Sequence, residues 1–294
     1  FSTTLEPLKQ SSWHRRLQII PNRNPGEPCP KAGAGDRFEA MNAERIPVRL
    51  SQVSGKKYKL VHEPAARQLL AAAAKLESGP ADIPAMDQAN KIIAQAVGIF
   101  DAHSVLLRGY HAADDVDRLE RARAACMAED VPLFWDLPDD GVLEWKVAAN
   151  QPFLRCLLQG AMIAAARGHL KSAARDLRRI VTLNPTDEQG SATLLLACLF
   201  GLEDWRGAEE LCRACPKAPE MQWGLALALL AQEKHDEADP VLRKACKTYS
   251  GYARIIVEDA EEKDDPSLKR FAMVFRGYWL EQKQAYKTVE TLYR

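Results

Sequence analysis

One phrase recurs along the second half of this 294-residue chain and constrains its fold more than any other feature. In the clearest copy, Gly168-His169-Leu170-Lys171-Ser172-Ala173 is followed by Leu177, Ile180 and the stop Asn184-Pro185. The phrase returns at Glu203-Asp204-Trp205-Arg206-Gly207-Ala208, with Cys212, Cys215 and Pro219 in matching places, and at Glu233 to Ala238 with Leu242 and Ala245. Ala173, Ala208 and Ala238 stand about 35 and then about 30 residues apart, the length of a helix-turn-helix unit. Such a unit cannot bury its apolar face alone, so neighbours must stack, and the product is a surface before it is a cleft.

Helical spacing extends beyond the phrase. Pro64 suits a first helical turn, and Ala65 to Leu76 is rich in alanine and leucine until Ser78-Gly79-Pro80 stops it. Asp87 is a cap for a second helix carrying Ile92, Ile93, Ala96, Val97 and Phe100. A third is expected from Ala113 to Met127, with Val131 to Pro138 as an aromatic-rich connection after it. From Pro152 the pairs read as Phe153 to Ala166 with Leu170 to Leu183, then a pair from Thr186 or Asp187 to Cys215. Glu220 to Gln232 with Asp236 to Tyr249 makes the next, and Ser267 to Leu280 with Gln282 to Tyr293 a capping pair.

These phrases resemble the tetratricopeptide repeat. Ala161, Gly168, Leu170, Ala173, Leu177, Ile180 and Pro185 match its pattern in one copy, and Leu196, Trp205, Ala208 and Pro219 in the next, with Ala238 in a third. Glu203 and Glu233 replace the turn glycine, and Pro240 lies inside an early helical turn. The resemblance covers residues 152 to 250 and implies an all-α fold: a tetratricopeptide-like α-solenoid of antiparallel helix pairs. Residues 152–294 form this array with its cap, residues 63–151 are degenerate helical repeats, and residues 1–62 are an extended, irregular arm. Prolines and glycines crowd Pro21 to Gly35, which removes backbone donors and raises the entropy cost of order.

The formal net charge is zero, but it is unevenly spread. Residues 1–70 hold twelve Lys or Arg against six Asp or Glu, whereas the remainder is mildly acidic. Arg15, Arg16, Arg23, Lys31, Arg37 and the cluster Lys56-Lys57-Tyr58-Lys59 are therefore the candidate contacts to RNA or to a partner, with Val53, Leu60 and Val61 able to dock nearby. Lysine and arginine placed on phosphates release condensed counterions. A solvated tail kept soluble by its lysines is the equally weighted alternative.

Catalytic and metal signatures are weak. The seven cysteines are an odd number in apolar helical positions, which suits reduced thiols in a reducing compartment. Cys212-Arg213-Ala214-Cys215 lies late in a helix rather than at its start and lacks two further zinc ligands. His14, His62, His103, His111, His169 and His235 show no ligand spacing and read as solvated, with His103 and His111 flanking a turn. Asp114-Asp115 and the acidic run Glu258 to Asp265 read as caps and loops, since acid-base work needs geometry and a shifted pKa. Ala32-Gly33-Ala34-Gly35-Asp36 lacks the strand and the lysine of a phosphate loop. Trp205 and Trp223 sit at packing positions. No catalytic, cofactor-binding or metal residue is assigned, no small-molecule substrate is expected, and no stretch reaches the roughly 20 apolar residues of a membrane span.

Phe1-Ser2-Thr3-Thr4 resembles the terminus left by a mitochondrial processing peptidase. The expectation is thus a non-catalytic scaffold subunit of a large assembly in the mitochondrial matrix, the mitochondrial ribosome first. It would hold neighbouring proteins on its repeat surface and rRNA on its arm. The alternatives are an accessory subunit of a respiratory or ATP synthase complex, and a pentatricopeptide-like RNA-binding protein.

Overall fold

The computed structural model describes residues 45–135, 137–138, 140–258 and 265–294. Arg15, Arg16, Arg23, Lys31 and Arg37 lie outside the described residues, as do His14 and most of the acidic run after Glu258. The described chain is mostly helical, with helices packed on helices. Its described residues divide into two compact units, those up to 163 with 182–188, and residues 164–181 with those from 189 onward.

The first unit opens with β1 (Val48–Ser54) and β2 (Lys57–His62), followed by α1 (Arg67–Glu77), α2 (Ile83–Ile93), α3 (Phe100–Ala112) and α4 (Val116–Trp135). α5 (Gln151–Ala166) begins here. The hairpin corrects the expectation of an irregular arm as far as residue 62. Val48↔His62, Leu50↔Leu60 and Gln52↔Tyr58 pair antiparallel, and alternation buries Val48 and Leu60 on one face. Two further expectations fail here. Asp82, not Asp87, caps α2, its Oδ1 accepting the Ala85 N–H at 2.9 Å. α4 continues to Trp135, where a connection was expected from Val131. α3 packs against α1, α2 and α4. Its core joins Phe100 edge-on to Phe153, ring centroids 4.8 Å apart, beside buried Leu107 and Leu119. His103 is buried within α3, and His111 lies on the same helix, so neither a solvated His103 nor a turn between the two holds.

The second unit contains α6 (Leu170–Leu183) up to residue 181, then α7 (Ser191–Gly201), α8 (Trp205–Ala214), α9 (Pro219–Ala231) and α10 (His235–Thr248). α11 (Ser250–Glu258), α12 (Pro266–Val274), α13 (Arg276–Glu281) and α14 (Lys283–Tyr293) complete it. α7 packs on α8, α8 on α9 and α9 on α10. α9 approaches closely at Gly224, where an added Cβ would stand 2.5 Å from a Leu196 methyl of α7 and 3.2 Å from the Cys212 sulfur of α8. Ala161, Ala173, Leu177, Ala208 and Ala238 are buried, Trp205 is half-buried, and Gly168 and Pro185 lie exposed in turns. Pro219 opens α9 rather than ending α8. α11 is a helix that the capping-pair reading did not contain, and α14 packs on both it and α10. Trp223 is fully buried against Tyr252, Phe271 and Trp279. Phe200 meets Phe275 and Tyr278.

One turn geometry recurs. Asp114, Gly168, Glu203 and Glu233 all have positive φ, at 53°, 79°, 56° and 60°. In each case the N–H of that residue bonds the carbonyl three positions back, and the next N–H bonds the carbonyl five back: Gly168 to Ala165 with His169 to Ala164, Glu203 to Phe200 with Asp204 to Leu199, and likewise at the other two. This is the left-handed closure that satisfies the last carbonyls of a helix. Glutamate thus occupies the conformation that glycine holds in the first copy.

Candidate partner-binding surface

The basic cluster is brought together by the hairpin, and alternation decides which members share a face. Lys57, Lys59 and Val61 stand on one face of β2, opposite Arg49 and Ser51 of β1 through the pairs Arg49↔Val61 and Ser51↔Lys59, while a register shift between Gln52 and Ser54 sets Ser54, not Val53, opposite Lys57. Tyr58 belongs to the other face with Leu60 and is half-buried, so it does not stack beside the lysines. Lys56 sits in the turn after Gly55, whose φ of 51° closes the hairpin. Val53 and Val61 remain 51% and 40% exposed. Arg49, Lys57, Lys59 and the exposed Val61 therefore share one solvent-facing surface.

The cations are partly engaged. Lys56 Nζ lies 2.6 Å from Asp140, Lys57 Nζ 2.8 Å from Glu144, and Arg49 3.5 Å from Glu63. The Lys56 ammonium holds the Asp140 carboxyl below the usual carboxylate range. Lys59 has no ion pair among the described residues. Exposed pairs contribute little, roughly 0–1 kcal/mol, so an incoming phosphate or carboxylate competes with them readily.

The two rims of the hairpin differ. On the β2 side, the Tyr58 N–H donates to the Val142 carbonyl at 2.9 Å and the Val142 N–H to the Lys56 carbonyl at 2.8 Å. Asn150 completes that rim: its Oδ1 accepts the Leu60 N–H at 3.1 Å, and its Nδ2 donates to the Tyr58 carbonyl at 3.0 Å and to the Glu144 carbonyl at 3.2 Å. On the β1 side, the same alternation directs the N–H and C=O groups of Leu50 and Gln52 away from β2, and these meet no partner among the described residues. Unpaired edge groups template another strand. His62 anchors the base, its Nε2 3.0 Å from the Gly98 carbonyl, and burial lowers its pKa.

Sequence reasoning missed Arg49, Asp140, Val142, Glu144 and Asn150. Asn150 carried no distinguishing signal beyond its place just before a helix.

The remaining polar features do not assemble into a reactive centre. Burial pushes Cys198 up to about 12 and Cys246 up to about 11, and raises Cys212 further, so these stay thiols at neutral pH. Cys215 is the C-cap of α8, at the end where the helix dipole does not favour thiolate. Among the described residues no group of three or more His, Cys, Asp or Glu could hold a metal ion. Among the described residues no helix is long and apolar enough to cross a membrane. No protein-family model, curated protein or solved structure matches the chain.

Proposed function

We propose that this chain is a non-catalytic subunit of a large mitochondrial assembly, the mitochondrial ribosome first. The observation that carries the reading is the hairpin surface: Arg49, Lys57 and Lys59 beside exposed Val61, on a hairpin whose β1 rim meets no partner among the described residues. This surface suits a macromolecule, because it offers apolar contact, displaceable cations and backbone groups. The packed helices α7 to α10 and their repeated turns support a second, protein-facing surface of the tetratricopeptide kind. The reduced, buried thiols support a reducing compartment such as the matrix.

The test is native isolation of the tagged full chain from mitochondria, resolved by size and read by mass spectrometry. Co-migration with ribosomal proteins and rRNA is expected, and a free monomer sinks the proposal. Lys56→Glu, Lys57→Glu and Lys59→Glu combined should weaken association without moving the melting temperature by more than a few degrees. If those lysines meet phosphate, the salt slope of binding falls by roughly three, one per lost contact. Association that ignores both ribonuclease and salt would instead favour a respiratory or ATP synthase complex. RNA crosslinked along residues 152–250 would favour the pentatricopeptide-like alternative.

A further inference from the structure

Cys126 of α4 and Cys156 of α5 face one another inside the first unit, their sulfurs 3.2 Å apart. Both are buried, at 3% and 1% exposure, and neither is in a disulfide. A disulfide needs roughly 2.05 Å between sulfurs, so closure asks for about 1.2 Å of approach shared by two side chains.

The segment between these cysteines gives the pair its consequence. It holds Asp140, Val142, Glu144 and Asn150, the four groups that engage Lys56, Tyr58, Lys57 and Leu60 along β2. A covalent link from residue 126 to residue 156 therefore ties off, at its base, the loop that holds the hairpin.

We propose that Cys126 and Cys156 form a dithiol-disulfide site, oxidised by peroxide, which fastens the loop carrying the β2 rim. One sulfur, as thiolate, attacks a peroxide oxygen and becomes a sulfenic acid, and the other oxygen leaves as hydroxide and is protonated to water. The second thiol then attacks the sulfenic sulfur and expels a second water. Two thiols and one hydrogen peroxide thus give one disulfide and two waters, the peroxide taking both electrons. Burial slows the first attack without changing which sulfur is the nearest partner for the second.

The experiment uses the reduced full chain exposed to hydrogen peroxide, then blocked with N-ethylmaleimide and digested with trypsin without reductant. The expected product joins peptide 124–146 to peptide 156–167, two hydrogens lighter than their sum. Hydrogen exchange at Tyr58 and Val142 should slow about tenfold in the oxidised chain and return to its starting rate with reductant. Recovery of both cysteines as maleimide adducts, or as sulfinic acids, after Cys215 has been oxidised overturns the site. Unchanged exchange in a cross-linked chain overturns the fastening. Cys156→Ser should abolish the linked peptide, and Cys126→Ala provides the same control if that variant folds poorly.

Discussion

Glu209 concentrates more interactions than any other exposed-face carboxylate described. On α8, it receives Lys234 Nζ at 2.7 Å, Arg213 at 2.9 Å and Gln232 Nε2 at 3.0 Å, while Arg213 reaches Glu237 of α10 at 2.8 Å. Its side chain is 12% exposed but those of Arg213 and Lys234 are 49% and 39%, so solvent partly screens the bonds that join α8 to the α9–α10 turn. The Lys234 bond, aided by Arg213 and Gln232, holds the Glu209 carboxyl down at about 2. A carboxylate lowered on folding stabilises fully above its unfolded pKa and ceases to as pH falls through the folded one. Glu209→Gln should accordingly cost about 1–2 kcal/mol at pH 7. The gap between the two melting temperatures should narrow from pH 4.5 downward and close near pH 2; a constant gap across that range would refute the clamp. Asn150→Ala tests the other heavily bonded residue. It leaves the buried Leu60 N–H and two carbonyls without their partner, a loss of about 3 kcal/mol in urea unfolding, with faster exchange at Leu60.

Among elements, the turns between helices offer the sharpest test. Left-handed backbone costs an ordinary residue about 1 kcal/mol that glycine does not incur. Glu203→Gly and Glu233→Gly should therefore each raise the unfolding free energy by up to about 1 kcal/mol, read as a higher urea midpoint, whereas Gly168→Ala should lower it by a similar amount. Much of this level was legible from spacing. α6 runs from Leu170 to Leu183 as the apolar pattern requires, because Ala173, Leu177 and Ile180 repeat at helical intervals and Gly168 and Pro185 bracket them. The glutamate turns were hidden, since side-chain chemistry does not announce a positive φ when helix ends impose it. The hairpin was hidden for another reason: prolines and glycines upstream coloured the reading of a segment whose own alternation, Val48 to Ser54 and Lys57 to His62 around Gly55, is a strand signal. Pro132 and the aromatic pair after it disguised the last turn of α4, and Ser250-Gly251 resembled a stop where α11 begins.

For the whole molecule, charge balance and burial set the behaviour. With a formal net charge of zero and a sequence pI near 7.1, the isolated chain has little mutual repulsion at neutral pH. Turbidity measured from pH 5 to 9 should peak close to pH 7, and the triple lysine-to-glutamate variant should shift that peak to lower pH. A peak that stays in place would show that apolar patches, not net charge, govern association. The sequence resolved an all-helical second half but not the boundary seen in the fold, because residues 182–188 return to the first unit through contacts distant in sequence, such as Leu143 N–H to the Leu183 carbonyl at 2.7 Å. The candidate surface was half legible: its lysines were visible as a cluster, while their shared face and their carboxylate partners depend on pairing across the hairpin. Asn150 has one more effect. By occupying the β2 rim with a side chain, it makes that side a terminus, so strand addition can proceed only through β1. If two copies joined edge to edge through β1, both outermost rims would be β2 rims occupied by Asn150, and growth would stop at the pair.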